Sequence, residues 1–201
     1  MRPRKIGIMG GTFNPIHNGH LLLGEMAYEQ FDLDKVLIMP AKNPYYKTIS
    51  SNILEEDRVE MIRRAIADNP HFQFSDIELQ REGMTYTVDT LEILTKKYPD
   101  VEFYFIMGAD SLYHMETWRD CERILKLSKI VAASRDDSYS AIDAQIEYIN
   151  DKYDAEVLRL NSPNLEISSS YLRKQMKLGR SCRYLLPDSV REYIMERKLY
   201  E

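Results

Sequence analysis

The sequence predicts an α/β fold: a doubly wound parallel sheet with helices on both faces and a C-terminal helical segment. Three observations carry this expectation. Short apolar runs alternate with stretches whose apolar residues recur at helical spacing. The first of those runs ends in Gly10-Gly11 and opens into a helix. Val101 to Met107 is apolar almost throughout, as a strand covered on both faces must be.

Taken in order, Lys5 to Met9 reads as the first strand. After a short polar loop, Leu22, Leu23, Met26, Ala27 and Phe31 fall at helical spacing. Val36 to Met39 is a second strand stopped by Pro40, and Val59, Ile62 and Ile66 mark the inner face of a helix beginning near Asn52. Phe72 to Leu79 is strand-like. Thr87 to Tyr98 is helical with Val88, Leu91 and Leu94 inward, and the strand from Val101 breaks at Gly108. Lys129 to Ala133, a helix around Ile142, Ile146 and Ile149, and Glu156 to Leu160 continue the alternation. Two helices, about Ser168 to Leu178 and Asp188 to Leu199, close the chain. The result is a Rossmann-like sheet. No repeat, low-complexity tract or linker interrupts residues 1–201, so one domain is expected, with the helices from about residue 168 packed on it. Ala41 to Asn52 lacks periodicity, and its Lys42, Asn43, Pro44 and Lys47 suggest a mobile loop near a site.

Composition narrows the function. A chain of 201 residues and 23.7 kDa can bury about 70% of its extended surface, so no disulfide or metal staple is required. Cys121 and Cys182 lie far apart with no metal-ligand spacing, which fits a reducing, cytoplasmic compartment. The basic start MRPRKIGIMGG is too short in apolar residues for a signal-peptide core, and no run is long enough to span a bilayer. A net charge of −5 argues against nucleic acid as a partner.

In such a sheet, ligands bind beyond the carboxyl ends of the strands, at the point where strand order reverses between the first and fourth strands. Two motifs fall there: Gly10 to His20 after strand one, and Gly108-Ala109-Asp110 after strand four. The first suits phosphate. Gly10 and Gly11 allow close backbone approach, Asn18 can cap the next helix, and that helix brings its positive end to the loop. His17 and His20, three apart, can point to one side and donate to phosphate oxygens. Zinc binding is the weaker reading, because helical zinc pairs are commonly four apart and no third Cys or His lies near. A third segment, Ile167 to Arg173, puts Ser168 or Ser169 at a helix cap and Arg173 about a turn later, where it can fork two phosphate oxygens. There is no GxxxxGK[ST], no GxGxxG after strand one and no GxSxG, so the site positions phosphates rather than forming a covalent intermediate.

Together, GGTFNPIHNGH with its HxGH core, GAD after an apolar strand and ISSSYLR resemble the HxGH nucleotidylyltransferase superfamily. TYTVDTL (Thr85 to Leu91), Trp118 after GAD and the total length are similar, more narrowly, to bacterial nicotinate-nucleotide adenylyltransferases. The resemblance implies a transferase of NAD biosynthesis: ATP and nicotinate mononucleotide give deamido-NAD and pyrophosphate, with Mg²⁺ held mainly by the ATP phosphates. It implies that His17 and His20 contact the ATP phosphates, that Ser170 and Arg173 hold β and γ, and that Gly10, Thr12 and Phe13 line the nucleotide. Gly108 and Asp110 would then meet adenosine, with Arg135 bordering adenine. Trp118 would stack on the pyridine, while Thr85 and Thr87 offer N–H groups to its carboxylate, with Lys47 and Arg119 also on the mononucleotide side. Two departures stand out. Pro44-Tyr45-Tyr46-Lys47 replaces a common Pro-Pro-His-Lys, and Arg119 follows Trp118 where an aromatic is common. A positive crevice from Lys42, Lys47, Arg135 and Arg173 is expected inside the acidic envelope. Alternatives are another phosphate acceptor, such as nicotinamide mononucleotide or phosphopantetheine, or a non-catalytic nucleotide-binding regulator. Assembly into a homo-oligomer is left open.

Overall fold

The computed structural model describes residues 2–42, 53–134 and 139–201. Six parallel strands form one sheet in the order β3-β2-β1-β4-β5-β6: β1 (Arg4–Gly11), β2 (Lys35–Pro40), β3 (Phe72–Phe74), β4 (Val101–Gly108), β5 (Lys129–Ala133) and β6 (Val157–Leu160). The order reverses at β1 and β4, where Ile8 lies beside Phe105 and Met9 beside Ile106. Alternation along these strands sends Met9, Ile38 and Val131 to one face, against α1 (Asn18–Phe31), α2 (Glu55–Ile66), α7 (Ser169–Lys177) and α8 (Asp188–Glu196). Ile8, Phe105 and Ile130 face the other way, against α3 (Thr87–Lys97), α4 (Ala109–Tyr113), α5 (Cys121–Leu127) and α6 (Tyr139–Tyr153). Leu172 of α7 and Val190 of α8 are both fully buried in the first of these cores. Among the described residues, no helix is long and apolar enough to cross a membrane.

Several boundaries differ from the sequence reading, each for a physical reason. The third strand ends at Phe74 rather than Leu79. It pairs only with Val36 to Ile38 at the sheet edge, Ser75 N closes the ladder on Ile38 O at 3.0 Å, and Gln80 then turns back onto Asp76. Helix α2 begins at Glu55, not near Asn52, with Glu55, Glu56 and Asp57 complementing the positive end of its first turn. Helix α8 stops at Glu196 instead of Leu199, since Lys198 and Tyr200 take left-handed φ values of 50° and 69°. Helices α4 and α5, with a 3₁₀ turn at Met115–Thr117 between them, fill a stretch too short in periodicity for sequence to mark.

Candidate active site

The loop after β1 and the start of α1 form one side of the crevice. His17, not Asn18, is the N-cap of α1: it has extended backbone (φ −147°), and its N–H donates to Nδ1 of His20 at 3.2 Å. Asn18 is the first helical residue and is tied elsewhere, its Nδ2 donating to Tyr184 O at 2.7 Å and its N to Leu185 O at 3.0 Å. The two imidazoles stack with centroids 3.6 Å apart. Because Nδ1 of His20 accepts, the neutral ring carries its proton on Nε2, which makes that edge a donor. Gly19 permits the stack, since a Cβ there would lie 3.1 Å from His17 Nδ1. Phe13 holds a left-handed φ of 46° while almost wholly buried, its ring edge-on to His20 at 5.0 Å. A bulky residue in that region costs about 1–3 kcal/mol, so the surroundings must hold it there.

Those surroundings are specific. Arg58 Nη1 donates to Thr12 O at 2.9 Å and to Ala41 O at 2.8 Å; Arg173 Nη1 donates to Asn14 O at 2.8 Å; Ser169 Oγ donates to Pro15 O at 2.9 Å. Ser168 caps α7, accepting from Tyr171 N at 3.2 Å, and exposed Ser170 lies 3.1 Å from it, Oγ to Oγ.

Two recesses open at the carboxyl ends of the strands. The larger, about 580 Å³, is lined by Gly10, His20, Gly108, Asp110, Thr85, Thr87 and Trp118. The smaller, about 50 Å³, lies between His17, Ser134, Pro163 and Ile167 and shares His20, Leu23 and Gly108 with the larger. Trp118 follows the 3₁₀ turn, its N–H bonded to Met115 O at 3.0 Å, and meets Phe105 at 90° and 6.0 Å. Tyr86, the N-cap of α3, places Thr85 and Thr87 on either side of that helix start.

Several sequence-predicted residues line neither recess. Arg119 lies over the Tyr86 ring at 4.5 Å, and Thr12, Phe13, Ser170, Arg173 and half-buried Lys42 stand behind or beside the walls. Lys47 and Arg135, with Pro44, Tyr45 and Tyr46, lie outside the described residues.

Sequence reasoning missed Glu78, Ser111 and His114 on the larger wall. Glu78 is 8% exposed, and burial pushes its carboxyl above the usual range against the pull of Thr90 and Arg81. Thr90 Oγ1 donates to Glu78 at 2.8 Å, and Arg81 bonds both Thr90 and Asp89 at 2.9 Å. The Glu, Arg and Thr spacing before and within TYTVDTL was the available signal.

The crevice lies where the strand order reverses between β1 and β4, with the histidine-bearing start of α1 at its edge, and the chain belongs to the cytidylyltransferase-like family, whose model matches residues 8–175. Within it, the relatives are nicotinate-nucleotide adenylyltransferases. A "Probable nicotinate-nucleotide adenylyltransferase" of Lachnoclostridium phytofermentans is 52% identical, covering 98% of this chain and 99% of its own. One from Desulfitobacterium hafniense is 44% identical over 98% and 96%. The fold is shared with a Plasmodium falciparum nicotinic acid mononucleotide adenylyltransferase complexed with NaAD, at TM-score 0.79 and 21% identity over 98% and 97% of the two chains.

Proposed function

We propose that the protein transfers the adenylyl group of ATP to nicotinate mononucleotide, giving deamido-NAD and pyrophosphate. The observation that carries this is the larger recess, about 580 Å³, whose wall runs from Gly10, His20, Gly108 and Asp110 to Thr85, Thr87 and Trp118, so the residues for both nucleotides face one cavity with the His20 imidazole on its wall. In this reading the α-phosphate lies at the start of α1. An oxygen of the acceptor phosphate attacks phosphorus in line, the bond to the bridging oxygen breaks, and pyrophosphate leaves with that electron pair. No protein nucleophile is needed, so the residues align anions and meet developing charge. His20 Nε2–H donates to the transferring phosphate, and His17 holds the imidazole stack. Arg173, with one nitrogen on Asn14 O, turns its other donors to the leaving phosphates beside Ser170.

On the adenosine side, Gly108 allows close approach and Asp110 accepts from ribose hydroxyls, and the family resemblance assigns Arg135 to the base. Gly10, Thr12 and Phe13 shape the loop floor. On the acceptor side, Trp118 stacks on the pyridine, and the α3 start offers N–H groups at Thr85 and Thr87 to the carboxylate. Arg119, exposed over the Tyr86 ring, adds positive charge near that side, and the family resemblance assigns Lys47 to the mononucleotide as well. A divalent ion, Mg²⁺ in this reading, would be held mainly by the ATP phosphate oxygens and would offset part of their charge. Among the described residues, no three His, Cys, Asp or Glu side chains converge to form a separate cage. The reading places the enzyme in the cytoplasm, as one domain, with small molecules rather than nucleic acid as partners.

The test is pyrophosphate release from ATP and Mg²⁺ with nicotinate or nicotinamide mononucleotide, side by side. A strong preference for the acid is expected, because N–H groups set for a carboxylate are poorly satisfied by an amide. Equal efficiency would overturn the acceptor assignment, and silence with both would overturn the reaction.

A further inference from the structure

The loop from Thr12 to Pro15 is held from behind by residues that line neither recess. Arg58, 2% exposed on α2, donates one guanidinium nitrogen to the carbonyls of Thr12 and Ala41, so it ties the end of β2 to the loop after β1. Tyr200, 8% exposed, donates its hydroxyl to Asn14 Oδ1 at 2.6 Å across 186 positions of chain. Asn14 is itself 4% exposed, so its side-chain oxygen would be costly to leave unmatched. The adjacent Asp57 joins α2 to α8, accepting from Tyr193 Oη at 2.8 Å. These contacts converge beside Phe13, whose left-handed backbone requires external support.

We propose that Arg58 and Tyr200 are positioning residues for adenylyl transfer: they fix the carbonyls and the Asn14 side chain of the phosphate-facing loop, and so hold His17 and His20 at the reacting phosphate. The left-handed turn at Tyr200, φ 69°, is itself an unfavourable conformation for an aromatic residue and is held by the contact it makes. Burial pushes the Tyr200 phenol above its usual range, which favours the protonated form that donates to Asn14. The same segment is one that a purely amphipathic helix would not need, because Lys198 and Leu199 already close α8 onto Met195 and Ile194.

The proposal rests on the adenylyl-transfer reading and is tested separately from it. Tyr200→Phe removes one oxygen and leaves the ring, so it is expected to fold with a Tm lowered by about 2–4 °C. Its kcat is expected to fall about tenfold, with KM for nicotinate mononucleotide unchanged, because misplacement of aligned phosphates is felt in the transition state. Amide exchange across residues 12–17 is expected to quicken while that of β5 stays as in the wild type. Arg58→Met is expected to lose about a hundredfold in kcat, with Arg58→Lys recovering part of it; should Arg58→Met not fold, Tyr200→Phe decides. Wild-type kcat in Tyr200→Phe overturns the brace, as does a loss matched by the fraction unfolded. A wild-type protein that releases no pyrophosphate overturns the reading instead, and the exchange measurement still reports on the brace.

Discussion

The two halves of the crevice are built differently. On the β1 side, the carbonyls of Thr12, Asn14 and Pro15 and the side chain of Asn14 are each held by a separate distant residue, and Phe13 and His17 are nearly inaccessible. On the β4 side, Trp118 is half-buried with Phe105 edge-on to it, Arg119 lies exposed over Tyr86, and the wall follows five- and three-residue helical turns. A loop that must place phosphates for in-line transfer gains from rigid support, since alignment acts only in the transition state. A pocket that recognises a flat ring needs area and a few donors. The contrast therefore separates rate from affinity.

His20→Ala offers the largest way to break this contrast. Pyrophosphate release is expected to fall about 10²–10³-fold in kcat, as for loss of one preorganised donor, with ATP binding by calorimetry changed little. An equal loss in ATP affinity would place His20 in ground-state binding and erase the distinction. Trp118→Ala is expected to act the other way, raising KM for the mononucleotide about tenfold with a smaller change in kcat. A pure kcat effect would move the pyridine elsewhere.

The smallest expected effect concerns the buried carboxyl of Glu78 and sharpens the β4 side. Its folded pKa is raised, chiefly by burial, so the folded state holds the proton more tightly than the unfolded chain. Glu78's contribution to stability is therefore full below the unfolded pKa and is lost as pH rises through the folded one. Thermal melts of wild type and Glu78→Gln are expected to show the variant gaining relative to wild type from pH 4 towards pH 7. A constant offset would mean that the Thr90 and Arg81 contacts cancel the burial.

Much of the frame was legible from the chain because buried parallel strands are written as apolar runs: Lys129 to Ala133 and the break at Gly108 coincide with β5 and the end of β4. The HxGH spacing likewise placed two imidazoles on one side of a helix start. What escaped were features set by tertiary partners. Asn18 has the side chain of a good cap, but the His20 ring accepts the His17 N–H, moving the cap one residue. Arg58 stands one turn before Ile62 in EEDRVEMIRRAI, on the side that packs inward, but nothing local shows that its guanidinium reaches the carbonyls of Thr12 and Ala41. Tyr200 reads as an unremarked aromatic after a helix until Asn14 is found beside it.

The span of these braces also bears on how the molecule assembles. The phosphate-facing loop is joined to residues 46, 159 and 186 positions away, separations whose closure entropy must be met before any of the contacts returns energy. The individual helices can form from local sequence, yet the loop gains its support only when distant stretches of the chain have docked. Catalytic competence is thus a late event in folding, and a chain can be compact while its active loop is still unanchored.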